Sequence, residues 1–399
     1  MTWRRGLPTV GLAALTLAAY LLLASPGDGE REEVRATLNL AEAMGGTDTT
    51  GYALALEPRP FVFPVDHGPH PGFRTEWWYV TANLDGDDGR RFGVQFTLFR
   101  NALAPEPADS PPPLDWATRQ VYMGHLAVTD VAGDGFHESE RFTRAAAGLA
   151  GGTAEPLRIW MDDWSLTGGG SSDPDAPEAG AVFPLSVRAA TERVAVSLDL
   201  SPEKPMVLQG DRGLSQKGPQ PGNASYYYSF TRMAASGSVT VDGITYPVSG
   251  AAWLDREWST SALSQDQVGW DWFALQLADG RDLMVYRLRR ADGGTDPLSE
   301  GVLVERDGST RRLSAREFSL GELGRWESPL DGTLYPSGWR IAVPTEGLDL
   351  EVRPVREDQE LNVTVRYWEG AVDVMGSDGS GSVSGRGYVE LTGYSPPGE

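Results

Sequence analysis

The sequence predicts an all-β protein built of two tandem antiparallel β-barrels, preceded by an N-terminal segment outside the fold. Short runs in which apolar and polar residues alternate follow one another along the chain, and Asp-Gly or other glycine-containing turns separate them. The chain also has 48 Gly, 28 Pro, 13 Trp, 13 Tyr and 12 Phe among its 399 residues. This composition favours aromatic strands and turns over long helices.

The composition also excludes several classes of protein. The formal net charge of −22 argues against nucleic acid or an anionic membrane surface as the main partner. The absence of cysteine excludes disulfide bonds, thiolate catalysis, Cys-ligated zinc and iron–sulfur clusters. No P-loop, dinucleotide fingerprint, nucleophile elbow or EF-hand is found, so we predict a protein without cofactor or metal.

Residues 1–25 form the N-terminal segment. Arg4 and Arg5 precede an apolar run over residues 7–24 that contains no acid, the pattern of a signal peptide or membrane anchor. The length of the run lies between those two cases, so both stay open. We therefore predict an extracytoplasmic protein, periplasmic or secreted, that meets a membrane only through this segment, with residues 26–56 as a linker.

The rest of the chain is predicted to form the two barrels, over residues 57–249 and 250–399. In the first, TEWWYVTANL ends at the turn DGDDG and the alternation resumes as RRFGVQFTLFR; in the second, WDWFALQL and DLMVYRLRR flank the turn ADGR. Repeated hairpins of this kind are typical of an antiparallel sandwich or barrel. Each barrel is long enough to enclose an apolar lumen.

Three segments carry a family resemblance. They are FPVDHGPHPGFRTEWWYVTANL from Phe63, KPMVLQGDRGLSQKGPQPGNASYYYSFTRM from Lys204 and GAAWLDREWSTSALSQDQVGWDWFALQL from Gly250. In this order they resemble the AttH-like family of secreted lipocalin-like proteins, whose more distant enzymatic cousins are carotenoid 1,2-hydratases. The resemblance covers the chain from Phe61 to the C-terminus. It implies two consecutive lipocalin-like barrels, an extracytoplasmic location and, in some relatives, a place beside ABC-type export components.

The resemblance also implies a chemistry. The hydratase cousins protonate an alkene with a side-chain acid, stabilise the cation with aromatic rings and add water without a cofactor. Their motif of a His beside an Asp before a Trp falls on residues 255–258, and their Tyr-x-Asp on residues 286–288. Arg256 stands in place of the His and Leu288 in place of the Asp, which puts hydration of the carotenoid type in doubt. Asp255, Trp258 and Tyr286 match.

Asp255 and Glu257 are the leading candidates for acid–base catalysis. Side chains alternate along an extended segment, so Trp253, Asp255 and Glu257 share one face. The Cα atoms of residues two apart in a strand lie about 6.5 to 7 Å from each other, so the charges of the two acids interact. If both acids are buried, one of them can hold a proton near neutral pH. The alternative is a structural charge network with Arg256 or the lysines at the seam, as we call the contact between the barrels. A ligand site and the seam can coincide.

His125 and Tyr286 complete the candidate catalytic residues. His125 is the best general acid–base candidate by residue type, and the alternative is a histidine that is hydrogen-bonded in the barrel wall. His67 and His70 have a spacing that could bind a metal on a helix, but Gly68-Pro69 prevents a helix, so we predict no metal site.

The only two lysines, Lys204 and Lys217, lie close together in a chain that otherwise uses arginine. A retained lysine indicates a place that needs a compact ammonium. Glu76 shares a strand face with Trp78 and is predicted to pair with Arg74 at the barrel rim, with a lumen position as the alternative. The residues assigned to ligand binding or the seam are Glu76, Trp78, Lys204, Lys217, Tyr226, Tyr228, Arg256, Trp258 and Trp272.

Three functions remain open. The first is binding of a hydrophobic small molecule such as a lipid or isoprenoid. The second is a cofactor-free lyase, hydratase or isomerase acting on an apolar, isoprenoid-like substrate, which requires at least two candidate groups to converge on one cavity. The third is an accessory role in an ABC-type export system, with the transporter permease as partner.

Overall fold

The structure, a computed structural model, describes residues 38–39, 49–105, 118–133, 135–170, 181–260, 263–264 and 266–394. The predicted signal peptide or anchor and most of the predicted linker lie outside these residues. Within the described ranges no helix is both long enough and apolar enough to cross a membrane. Helical structure there consists of two short 3₁₀ turns, Val65–His67 and Pro344–Glu346.

The first sheet is formed by strands β2 to β14. Their bounds are β2 Thr75–Gly86, β3 Arg91–Ala102, β4 Gln120–Asp130, β5 Gly135–Arg144, β6 Ala150–Ala154, β7 Leu157–Met161, β8 Trp164–Gly168, β9 Leu185–Ala190, β10 Val194–Pro202, β11 Val207–Leu208, β12 Leu214–Gln216, β13 Ala224–Val241 and β14 Ile244–Ser259. The strand order is β5-β4-β3-β2-β14-β13-β10-β9-β8-β7-β6, and β11 and β12 also pair with β13. β4 lies close to β6 and β7, so the sheet curls back on itself.

The second sheet follows in the chain. Its strands are β15 Gln267–Leu277, β16 Asp282–Arg290, β17 Glu300–Val304, β18 Thr310–Ser314, β19 Ser319–Glu322, β22 Trp339–Val343, β23 Leu348–Pro354, β24 Glu360–Leu361, β25 Val365–Ser377 and β26 Ser382–Leu391, joined by the short β1 Leu38–Asn39. The order is β18-β17-β16-β15-β26-β25-β23-β22-β19, with β1 and β24 paired to β25. β20 Arg325–Glu327 and β21 Leu334–Pro336 form a separate hairpin.

The predicted fold class, an all-β chain of two tandem antiparallel barrels, is confirmed. Each sheet surrounds its own apolar core, because successive residues of a strand point to opposite faces and one face turns inward. The chain passes from the first sheet to the second between Ser259 and Gln267. This change falls later than the predicted start of the second barrel at Gly250, because β14 stays paired with β2 and β13 as far as Ser259.

The two barrels meet in a third apolar cluster, which forms the seam. Tyr79 and Trp253 of the first barrel pack there against Trp272 and Tyr388 of the second. The rings of Tyr79 and Trp272 meet edge to face, with centroids 5.2 Å apart. The central strands of the first barrel are therefore buried on both faces, one toward its own core and one toward its neighbour.

Candidate active site

Side chains alternate along β13 and β14, so successive residues of each strand point in turn to the core of the first barrel and to the seam. Tyr227 and Trp253 belong to the seam cluster. Tyr226, Tyr228 and Trp258 belong to the core of the first barrel. Since residues two apart share a face, Asp255 and Glu257 lie on the seam side, as the alternation predicts.

A cavity of about 120 Å³ lies on the seam side of these strands. Its walls come from both barrels and combine seven aromatic side chains with eight polar or charged ones and two leucines. The lining residues are Thr75, Trp77, Tyr79, Thr97, Phe99, Lys217, Ser225, Tyr227, Asp255, Glu257, Ser259, Leu263, Trp270, Trp272, Tyr286, Leu288 and Glu390.

Asp255 is buried in the cavity wall with three neutral hydrogen-bond donors. The Tyr227 hydroxyl donates to its Oδ2 at 2.6 Å, while Ser229 Oγ and Trp253 Nε1 donate to its Oδ1 at 2.5 and 2.7 Å. Burial raises the pKa of Asp255 to about 7, because removal from water outweighs these hydrogen bonds and the charge of Glu257 adds to the rise. Asp255 is therefore a carboxyl group that exchanges a proton near neutral pH.

Glu257 and Lys217 form the charged pair of the same wall. Lys217 Nζ lies 3.5 Å from Glu257 Oε1, and the Ser225 hydroxyl donates a short hydrogen bond to the same oxygen. The ammonium also lies 4.2 Å from the centre of the Tyr286 ring, a cation–π contact. Among the described lining residues Lys217 is the single cation, so the cavity carries a surplus of acidic groups.

Tyr286 lines the cavity from the second barrel. Its hydroxyl lies 3.1 Å from Ser215 Oγ, which donates in turn to Glu300 Oε1 at 3.1 Å. Burial, with the charge of Glu300, raises the pKa of Tyr286 well above its ordinary value. Tyr286 therefore stays neutral and acts as a hydrogen-bonding wall residue.

The second barrel contributes two acids that the sequence interpretation missed, Glu390 and Glu369. Glu390 lines the cavity, and Trp270 Nε1 donates to its Oε2 at 2.8 Å. Burial raises the pKa of Glu390 to about 7, and the charges of Asp255 and Glu257 add to the rise. Glu369 lies directly opposite Glu390 on the neighbouring strand. The signal that could have found both acids is a glutamate inside an apolar or aromatic run, as in YVEL and RYWEGAV.

Six of the residues assigned to ligand binding or the seam lie inside the first barrel, away from the seam cavity. They are Glu76, Trp78, Tyr226, Tyr228, Arg256 and Trp258. The reason is the two-residue repeat of their strands, which points them away from the seam. The Tyr228 hydroxyl lies 2.6 Å from His67 Nδ1, and the Trp258 ring stacks on His70 at a centroid distance of 3.9 Å.

The predicted pairing of Glu76 with Arg74 at the rim is wrong. Glu76 is fully buried and forms ion pairs with Arg100 and Arg256. Burial raises the pKa of Glu76, but the charges of these two guanidinium groups outweigh burial and hold it well below its ordinary range. Arg74 lies over the Tyr52 ring instead, with its Cζ 4.8 Å from the ring centre. Glu76 is thus a permanent anion in a structural network.

His125 is fully buried and does not line the cavity. Its Nδ1 lies 2.8 Å from the Tyr367 hydroxyl and its Nε2 lies 3.0 Å from Glu140 Oε1. Both ring nitrogens are therefore occupied, the alternative that the sequence left open. The other three candidate catalytic residues, Asp255, Glu257 and Tyr286, all line one cavity, and His125 is not among its lining residues.

Both lysines lie at the seam. Lys217 lines the cavity, and the buried Lys204 forms an ion pair with Asp282 of the second barrel, with Nζ 2.8 Å from Oδ2. Trp272 also lines the cavity. Within the described ranges, no three His, Asp or Glu side chains are grouped so as to hold a metal ion.

The two tandem antiparallel barrels make this a lipocalin-like fold, and comparison with known proteins identifies the family. Residues 54–394 match the AttH-like family. The chain therefore belongs to the AttH-like family. No protein with a curated description matches it in sequence.

Solved structures agree with this assignment. An AttH-like protein from Nitrosomonas europaea is 32% identical, with a TM-score of 0.73, over 86% of this chain and 100% of that one. Kievitone hydratase from Nectria haematococca is 16% identical, with a TM-score of 0.63, over 87% and 98% of the two chains. CghA with Sch210972 is 14% identical, with a TM-score of 0.51, over 88% and 97%. The last two share the fold with this chain.

Proposed function

We propose that this protein is a cofactor-independent hydratase, lyase or isomerase that acts on an apolar, isoprenoid-like small molecule in the seam cavity. The observation that carries the proposal is the environment of Asp255. It is a buried carboxyl group with a pKa of about 7 in an aromatic cavity, and its hydrogen-bond donors are all neutral. General acid catalysis at neutral pH requires such a group.

Glu76 and Asp282, two acids buried outside the cavity, have cationic partners and so differ from Asp255. Glu76 is paired with two arginines, and Asp282 is paired with Lys204 and Arg232. Burying an acid without a cationic partner costs free energy. A protein that only carries an apolar ligand would not need such an acid in the wall of its cavity. Buried titratable groups in a cavity are typical of catalytic sites.

The surroundings of Asp255 suit the chemistry of an alkene. When Asp255 transfers its proton to a double bond, a positive charge develops on the neighbouring carbon. The aromatic rings of Tyr227, Trp270 and Trp272, which line the cavity, and its surplus of acidic groups then stabilise that charge. Arg256, which stands where the hydratase cousins have a histidine, lies in the core of the first barrel. The presence of arginine in place of that histidine therefore leaves Asp255 in the cavity unaffected.

The proposal is tested with purified full-length protein and a panel of isoprenoid alkenes and their tertiary alcohols in D₂O. We expect deuterium in the product, and a loss of at least about 100-fold in rate for Asp255→Asn. Binding of the neutral dye N-phenyl-1-naphthylamine should persist in this variant. Asp242→Asn, an exposed aspartate in a surface ion pair, is the matched control and should behave as the wild type.

Binding of an apolar small molecule without turnover is the second candidate, and the aromatic lining of the cavity favours it. If the wild type binds the dye but converts no member of the panel, or if Asp255→Asn converts it at the full rate, the catalytic proposal fails. Dye binding without conversion would support the binding role.

The extracytoplasmic location and the link to an ABC-type exporter are proposals that rest on the N-terminal pattern and the family resemblance. Fractionation of cells that express the full chain tests the location, since the protein should be absent from the cytoplasmic fraction. Co-purification with a transporter permease tests the link, and a purely monomeric soluble pool would contradict it.

A further inference from the structure

We infer that Glu390 is the second acid–base group of this reaction, supplied by the second barrel and acting as the base when Asp255 acts as the acid. The inference rests on the proposed function and extends it, because it assigns the proton-accepting step to a different barrel. Asp255 lies on β14 and Glu390 on β26, and both line the same cavity. The two barrels would therefore each contribute one half of the catalytic pair.

The position of Glu390 is fixed by its neighbours. On β26 it lies between Trp272 on β15 and Glu369 on β25. Trp270 Nε1 donates to its Oε2 at 2.8 Å, the one hydrogen bond between the Glu390 side chain and the described residues. One carboxylate oxygen is thus oriented by an indole, while the cavity lies beside the same side chain. A carboxylate held in this way can accept a proton from a molecule in the cavity.

Glu369 explains how Glu390 can be ionised next to another acid. The Tyr79 hydroxyl donates to Glu369 Oε1 at 2.5 Å, while Oε2 is buried without a hydrogen-bond partner. Two carboxylates directly opposite each other on neighbouring strands repel. Burial raises the pKa of Glu369 well above its ordinary value, and the charge of Glu390 raises it further. Glu369 therefore holds its proton, and Glu390 is the member of the pair that titrates near neutral pH.

The proton balance of the step is as follows. Asp255 gives its proton to one alkene carbon, the π electrons form the new C–H bond, and the neighbouring carbon becomes a cation. Glu390 then removes a proton, either from a water molecule whose oxygen bonds to the cation or from an adjacent C–H bond whose electrons form a new double bond. The first outcome is hydration and the second is isomerisation. Asp255 ends ionised and Glu390 protonated, and exchange with solvent resets both.

The test compares Asp255→Asn with Glu390→Gln in D₂O, on a panel member that the wild type converts. We expect Asp255→Asn to show neither product nor deuterium in the recovered alkene. Glu390→Gln should lose at least about 100-fold of product formation but still place deuterium in the alkene, because Asp255 can protonate it and take a proton back. Wild-type product formation by Glu390→Gln overturns the inference and leaves the proposed function standing. Full activity of Asp255→Asn overturns the proposed function.

A second variant keeps the inference testable if Glu390→Gln does not fold. Trp270→Phe removes the hydrogen bond that lowers the pKa of Glu390. If ionised Glu390 is the base, the rise of kcat/KM with pH should move to higher pH in this variant. An unchanged pH profile with a merely lower rate would show a structural role. Glu351→Gln, at an exposed surface ion pair, is the control and should leave product formation and the profile unchanged.

Discussion

Asp255 shows how strongly the environment of one residue sets its chemistry. Glu76 and Asp255 are both buried in the first barrel, but Glu76 has guanidinium partners and Asp255 has a phenol, a hydroxyl and an indole. The pKa of Glu76 is accordingly lowered and that of Asp255 is raised. The first is a structural anion, and the second can give up a proton at neutral pH.

The raised pKa of Asp255 has a consequence for stability. Because the pKa is about 7 in the folded chain and 3.8 ordinarily, the folded state binds more protons than the unfolded state between pH 4 and 7. The free energy of unfolding should therefore fall as pH rises through this window, by on the order of 4 kcal/mol from Asp255. Urea unfolding at several pH values should show a smaller fall for Asp255→Asn, and equal slopes would contradict the assignment.

The residues of the site differ in how far the sequence could predict them. Asp255 and Glu257 were predictable because the alternation of one strand places them on a common face. Tyr227 was harder, since its two tyrosine neighbours point the other way and only the pairing of β13 with β14 decides which face meets the second barrel. Glu390 and Glu369 were missed because nothing local indicates that their strands face the cavity, which needs the packing of two barrels.

The role of the segment from residue 203 to 223 also depends on how the two barrels pack, which the sequence alone did not predict. It joins β10 to β13, carries β11 and β12, and lies along β13 of the first barrel while its lysines contact the second. Composition alone singled out the two lysines. The partner of Lys204, Asp282, lies on a strand of the other barrel, and it also binds Arg232 and Thr231. This segment therefore helps to fasten the two barrels together.

Lys204→Arg tests this role. The Lys204 side chain is 4% exposed beside an aspartate that already has an arginine partner, so a larger guanidinium would have to displace its neighbours. We expect a loss of about 1–3 kcal/mol in the free energy of unfolding, measured with urea, as for overpacking elsewhere in protein cores. Arg340→Lys, at an exposed ion pair, should change stability by less than about 0.5 kcal/mol. An unchanged Lys204→Arg variant would show that the ammonium is not required there.

At the scale of the whole molecule, the sequence predicted two barrels but not how closely they depend on each other. The seam holds an apolar cluster of its own and hydrogen bonds that cross between sheets, such as Asn83 Nδ2 to the Gly387 carbonyl at 3.0 Å and Gln276 Nε2 to the Thr231 carbonyl at 2.8 Å. The barrels therefore share buried surface, and separation would expose it to water.

We expect the described part of the chain to unfold as one unit. Calorimetry of the full-length protein should give a single main transition, in which the calorimetric and van't Hoff enthalpies agree. Gln276→Ala, which removes a side chain that bridges the sheets, should lower the midpoint of that transition without splitting it. Arg193→Ala, at an exposed ion pair, is the control. Two well-separated transitions would show that the barrels unfold independently.

The run of three tyrosines on β13 links the cavity to the barrel that supports it. Tyr226 and Tyr228 pack in the core, whereas Tyr227 holds Asp255. Inserting or deleting a single residue here would exchange the two sets of side chains, filling the cavity with core residues and the core with cavity residues. New substrate preferences are therefore best sought by point substitution at the cavity-facing positions, because changes in strand length alter the cavity and the core together.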